Sequence, residues 1–211
     1  MHAKAILGFL SFFSFKIPSR RREAHFKENT IAWEKIRPKA EADGLIERQR
    51  LLKDLRLGNK PADYNACEVI AACNVLTVLG EHPSFPEVIR SFEAGGLVFG
   101  GAFGTAPGRI LRFFESQGIP CRVLKGRQVE STDLSAWGQD SQVFILTAFN
   151  DRDNIWAMVH TVCITRGKDG YLIHNGSPLL RPFPTLEEAV SGFSNGKNKP
   201  IALMGIGNEV H

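Results

Sequence analysis

The sequence has no CxxC pair, although it holds four cysteines, Cys67, Cys73, Cys121 and Cys163. Their spacing matches no zinc pattern and suggests no small disulfide scaffold. They point instead to reduced thiols in a cytoplasm. No GxGxxG runs from a strand into a helix and no GK[ST] occurs, so dinucleotide and Walker-type sites are excluded. No apolar run reaches the roughly 20 residues of a membrane span. Nor is one sign of charge in large excess: Lys and Arg number 26 against 22 Asp and Glu, for a formal +4. Much of that basic character falls in the first sixty residues. It describes that region and not a whole-surface nucleic-acid footprint. No internal repeat is visible.

What is present suits one sizeable core, or one domain with an appendage, in 211 residues of ordinary composition. Twenty glycines and eleven prolines indicate many turns and not a bundle of long helices. The apolar stretch Ala5 to Phe15 follows Lys4 and precedes Lys16, Arg20, Arg21 and Arg22. It has the length of a signal-peptide core, but the stronger charge lies on the wrong side and no small-x-small site follows. Three readings stay open: a helix packed on the domain, a weak membrane-surface contact through residues 1–22, or a product of start-codon choice.

Glu23 to Leu57 reads as two helices broken at Pro38 and Gly44, the second over Leu45 to Leu57 and stopped by Gly58-Asn59. A buried helix is expected from Ala66 to Leu79, with Gly80 as its stop and Cys73 as a core residue. Ser84, Pro86 and Glu87 suggest a capped start for the next helix. Gly95 to Gly108 is a glycine-rich connection. Its Gly100, Gly101 and Gly104 either let backbone approach a substrate or form a plain turn. Thr105-Ala106-Pro107 opens a further helix, closed at Gly118.

After that the period changes. Short strands are expected at Pro120–Leu124, Gln142–Phe149, Trp156–Thr165, Tyr171–Asn175 and Pro200–Ile206, with a short helix at Leu186–Ser191. The fold class is α+β: a helical N-terminal part followed by an antiparallel meander.

Cys67 carries the chemical interest. It stands between a polar turn and an apolar helix, where the macrodipole and unpaired N–H groups stabilise a thiolate. A nucleophilic thiol needs a base and a group to orient that base. His160 and His174 are the candidate bases on strands. Asn175 lies fifteen residues after His160, across a tight hairpin, where its side-chain oxygen can fix the imidazole tautomer. His174 and Asn175 alternate, so only one of them faces the His160 side of the sheet. The plain alternatives stay open: Cys67 as a structural residue, His160 as a satisfied core histidine and Asn175 as a turn residue.

Helix-first cysteine, then histidine on one strand and an amide on the next, resembles the papain-like cysteine peptidases. The detail looks most like the bacteriocin-leader-processing, C39-like branch. Tyr64, Cys67, Leu76 and Gly80 match its cysteine helix, His160-Thr161-Val162-Cys163 its histidine strand, and Tyr171 to Asn175 its orienting strand. The match covers Ala62 to Ile206. The resemblance implies a papain-like domain over residues 61–211 behind a helical extension over 1–60. In it Cys67 attacks a carbonyl, His160 exchanges protons and Asn175 orients the ring. It implies a peptide or protein substrate, no metal and no organic cofactor; no nucleic-acid partner is expected, because the basic region has little aromatic interleaving. Two features depart from the family. Pro61 and Ala62 occupy the neighbourhood of its oxyanion glutamine, leaving Asn65 or Asn59 as substitutes. Glu68 follows the cysteine, where an inward carboxylate would raise the thiol pKa. The rival functions are an inactive papain-like scaffold that binds, and an acyl or peptidyl transferase with the same triad.

Overall fold

The computed structural model describes residues 13–105, 108–151, 153, 159–176 and 181–207, with the backbone alone of Ser194. The chain separates into two units. One holds the residues up to Cys73 with His82–Phe113; the other holds Asn74–Glu81 and the residues from Phe114 on. The described residues before 61 share a unit with Cys67.

In the first unit, β1 (Ser14–Phe15) leads into α1 (Ser19–Ala40). Helix α1 has ten charged residues among its 22 and continues through Pro38, where a break is expected, and His25, Asn29, Trp33 and Ala40 are buried along it. The first three, spaced by four, form one stripe. Each polar member of the stripe has a distant partner. His25 Nδ1 donates to Glu93 Oε1 at 2.7 Å, and the same oxygen accepts from Gly58 N at 2.8 Å. Asn29 pairs both ways with the Arg56 main chain, donating at 2.9 Å and accepting at 2.8 Å.

The expected second helix over Leu45 to Leu57 does not form. Asp43 and Gly44 both take positive φ, 50 and 78, the pairing that an Asp-Gly turn favours. They close a hairpin between β2 (Glu41–Ala42) and β3 (Leu45–Ile46). A 3-10 segment over Gln49–Asp54 follows, and then β4 (Arg56–Leu57) turns at Gly58-Asn59 into β5 (Lys60–Pro61). Leu52, Leu55 and Leu57 are fully buried all the same. Their burial explains the helix-like spacing without requiring a helix.

A one-turn helix α2 (Ala62–Asn65) precedes α3 (Cys67–Val78). Beyond it Glu81 N donates to Leu76 O, the expected stop around Gly80. Helix α4 (Phe85–Gly95) buries Phe85, Val88, Ile89 and Phe92, and Phe85 meets Trp33 of α1 at a ring separation of 5.1 Å. The expected side-chain cap is not made. The Ser84 carbonyl, not its hydroxyl, accepts from Glu87 N at 2.9 Å. Strand β6 (Leu97–Val98) then pairs with β1, Phe15 opposite Leu97. The start expected for α5 (Arg109–Glu115) at Ala106-Pro107 lies outside the described residues, as do Ala5 to Phe12 of the apolar N-terminal stretch.

The protein is α+β, and its second unit supplies a five-stranded antiparallel sheet. In chain order this unit runs β7 (Cys121–Lys125), α6 (Arg127–Ser131), α7 (Leu134–Trp137), β8 (Val143–Phe149), β9 (Val159–Gly167), β10 (Gly170–His174), α8 (Leu186–Gly192) and β11 (Lys199–Ile206). The spatial order is β10-β9-β8-β11-β7. Strands β8 to β10 form the expected meander, but β11 enters between β8 and β7. Trp156 to Met158, expected in a strand, lie outside the described residues. Side chains alternate across the sheet. Phe144, Leu146, Ala148, Val162, Ile164 and Leu203 pack with Leu134 of α7 and with Leu186, Ala189 and Val190 of α8 on one face. Val143, Ile145, Thr161 and Cys163 are buried on the other. His160 shares the parity of Val162 and Ile164.

Candidate active site

Cys67 is the first residue of α3 and is half-buried. A helix start lends partial positive charge to that position. The turn that delivers the thiol is tightly packed. Ala62 and Ala66 are fully buried, Ala66 N donates to Ala62 O at 3.0 Å, and Ile70 N donates to Ala66 O at 2.8 Å. No disulfide joins any of the four cysteines. Burial pushes the Cys73 thiol up to about 12 and the Cys121 thiol up to about 11, so both stay protonated near neutral pH.

Asn65, two residues before the cysteine, is buried. Its Nδ2 donates to Leu57 O at 3.1 Å and to Gly101 O at 2.7 Å. Both acceptors are carbonyls, so the orientation of the amide is unambiguous. Both amide hydrogens are committed, and Oδ1 is buried without a hydrogen-bond partner among the described residues. An oxyanion donor from Asn65 would require one of those bonds to break. Asn59 is exposed, and its backbone N–H donates to Gly100 O at 2.8 Å.

The glycine-rich segment thus has a structural task at the nucleophile's turn. A Cβ on Gly101 would stand 2.7 Å from Leu57 O and 2.9 Å from Asn65 Nδ2, on backbone with φ +102. Only glycine lets the Asn65 amide approach so closely. Gly104 O accepts from Val98 N at 3.1 Å. Sequence reasoning left these glycines between a substrate contact and a plain turn. The Gly101 link to Asn65 spans 36 residues and leaves no local signal.

Glu68 was expected to point either inward or outward. The residue is half-buried, but its Oε2 is out of solvent and lacks a partner among the described residues. Burial first, and the neighbouring Cys67 second, push its carboxyl well above the ordinary carboxylate range. It therefore holds a proton where an exposed glutamate would not.

In the second unit, His160 is half-buried on β9, directly opposite Ala148 of β8. Its Nε2 is 2.8 Å from the main-chain oxygen of Asn175, and its ring lies nearly parallel to Phe193 at 6.1 Å. A carbonyl can only accept, so Nε2 carries the proton and the neutral ring keeps its lone pair on Nδ1. Burial pulls the imidazole below its ordinary pKa, and the bond to Asn175 opposes this in part. The tautomer-fixing bond expected from the Asn175 side chain thus comes from its backbone. Asn175 takes φ 58 at the end of β10. His174, the rival base, pairs with Cys163 in register and sits 2.8 Å from Thr165 Oγ1 through its Nε2.

Each unit therefore gathers part of the expected set. The first brings Asn65 to Gly101 and Asn59 to Gly100 beside the Cys67 turn; the second joins His160 to Asn175. The protein class these features define is an α+β protein with a helix-start thiol and a tautomer-locked histidine. The chain matches no protein-family model, and no curated protein matches it. Among the described residues, no helix is long and apolar enough to cross a membrane, and no three His, Cys, Asp or Glu side chains could together hold a metal ion.

Proposed function

We propose that the protein is a thiol-dependent amide hydrolase of papain-like fold, acting on a peptide or protein in the cytoplasm. Cys67 is the nucleophile, His160 the base and Asn175 the group that orients it. The observation that carries the reading is the bond between His160 Nε2 and Asn175 O at 2.8 Å. It leaves Nδ1 as the basic nitrogen on a ring that burial keeps neutral. In the proposed chemistry the Cys67 proton passes to Nδ1 and the sulfur adds to the substrate carbonyl. The C–N bond breaks as the imidazolium returns the proton to the leaving amine. Water then cleaves the thioester by the same proton path in reverse. Asn59, exposed beside this turn, is the candidate oxyanion side chain. Gly100, Gly101 and Gly104 remain candidate substrate contacts in this reading.

A second reading, a papain-like scaffold that binds without catalysis, is favoured by the commitment of both Asn65 amide hydrogens. Alkylation separates the two. At pH 6, iodoacetamide followed site by site in a mass spectrometer should modify Cys67 far faster than Cys73, Cys121 and Cys163. Uniformly slow labelling of all four would favour the scaffold.

A further inference from the structure

We propose that the first unit docks on an anionic lipid surface through an aromatic patch and the basic residues that follow it. Single exposed apolar side chains are normal on a protein surface, but a contiguous group marks an interaction site. Here the rings touch. Phe13 stacks on Phe99 with centroids 4.8 Å apart and 13° between planes, and Phe103 meets Phe99 edge-on at 5.7 Å. Phe99 is 42% exposed, Phe103 57% and Phe15 56%. The patch is built and not frayed. Phe99 N donates to Phe13 O at 3.0 Å, and Phe99 takes φ 47, a left-handed backbone that a bulky side chain rarely adopts.

Charge selects the partner. The first 22 residues contain Lys4, Lys16, Arg20, Arg21 and Arg22 and no Asp or Glu. Lys16, Arg20 and Arg21 are exposed immediately after the aromatic strand. The sequence that leads into Phe13, Ala5 to Phe12, is itself apolar. Aromatic side chains suit the interface, and basic side chains close to an anionic surface add attraction. Together they supply the two signals that stable peripheral binding requires. An apolar protein groove would use the rings but has no need of an acid-free basic flank.

The test is sedimentation of the full chain with vesicles of phosphatidylcholine alone and with vesicles of equal parts phosphatidylcholine and phosphatidylglycerol. Binding is expected to the mixed vesicles and to weaken as salt shortens the Debye length. The triple variant Lys16→Glu, Arg20→Glu, Arg21→Glu should lower partitioning by more than about tenfold. Phe103→Ser, at an exposed position, should lower it by about tenfold with an unchanged melting temperature. Failure to bind either vesicle, equal binding to both, or indifference to both variants would overturn the proposal.

Discussion

His160 keeps its tautomer through a main-chain oxygen, and every residue type has one. The side chain of Asn175 is then dispensable for that bond, while its backbone conformation is not. With φ at 58, Asn and Gly are the tolerated residues and a β-branched residue is strained. Asn175→Gly should keep most of the Cys67 alkylation rate, and Asn175→Val should lose it. Equal, large losses in both variants would return the orienting role to the side chain. Glu68 gives the second residue-level prediction. Its carboxyl holds its proton more tightly when folded than when unfolded. The stability it contributes is complete below the ordinary carboxylate pKa and is lost as pH rises through the raised value. Glu68→Gln, neutral at every pH, escapes that loss. Its melting temperature should therefore gain on the wild type as pH rises, and parallel melting curves across pH would contradict the buried carboxyl.

At the scale of elements, what could be read from the sequence was what local pattern decides. The continuous apolar run Val143–Phe149, the Gly167–Gly170 turn and the stop at Gly80 each act within a few residues, and each element is found where it was expected. Leu45 to Leu57 was misread because two tight turns outweigh a helix-like spacing of buried leucines. Burial satisfies such a spacing in more than one backbone conformation. The partners of α1 were out of reach for a different reason. Asn29 bonds Arg56 across 27 residues and His25 bonds Glu93 across 68, separations over which no local pattern acts. These bonds do real structural duty. Asn29→Ala leaves the Arg56 N–H and C=O without their partner and should cost about 1–3 kcal/mol, measured by urea unfolding. A change under about 0.5 kcal/mol would mean that the pairing is replaced by water.

At the scale of the whole molecule, the order of helices first and sheet second was legible, because the hydrophobic period changes along the chain. The return of β11 between β8 and β7 was not, since strand order depends on long-range pairing and not on local pattern. Residues before 60 join His82–Phe113 through contacts such as Trp33 with Phe85 and Ile17 N with Glu93 O. Cys67 lies in one unit and His160 in the other. The proposed function requires that the two act on one carbonyl. Its most direct measurement is the iodoacetamide rate at Cys67 against pH, in the wild type and in His160→Ala. Activation by His160 predicts a fast wild-type reaction at pH 6 that collapses in the variant, with the variant's profile rising only towards the ordinary thiol pKa of about 8.5. Identical profiles in the two proteins, or a Cys67 as slow as Cys73 in both, would contradict it.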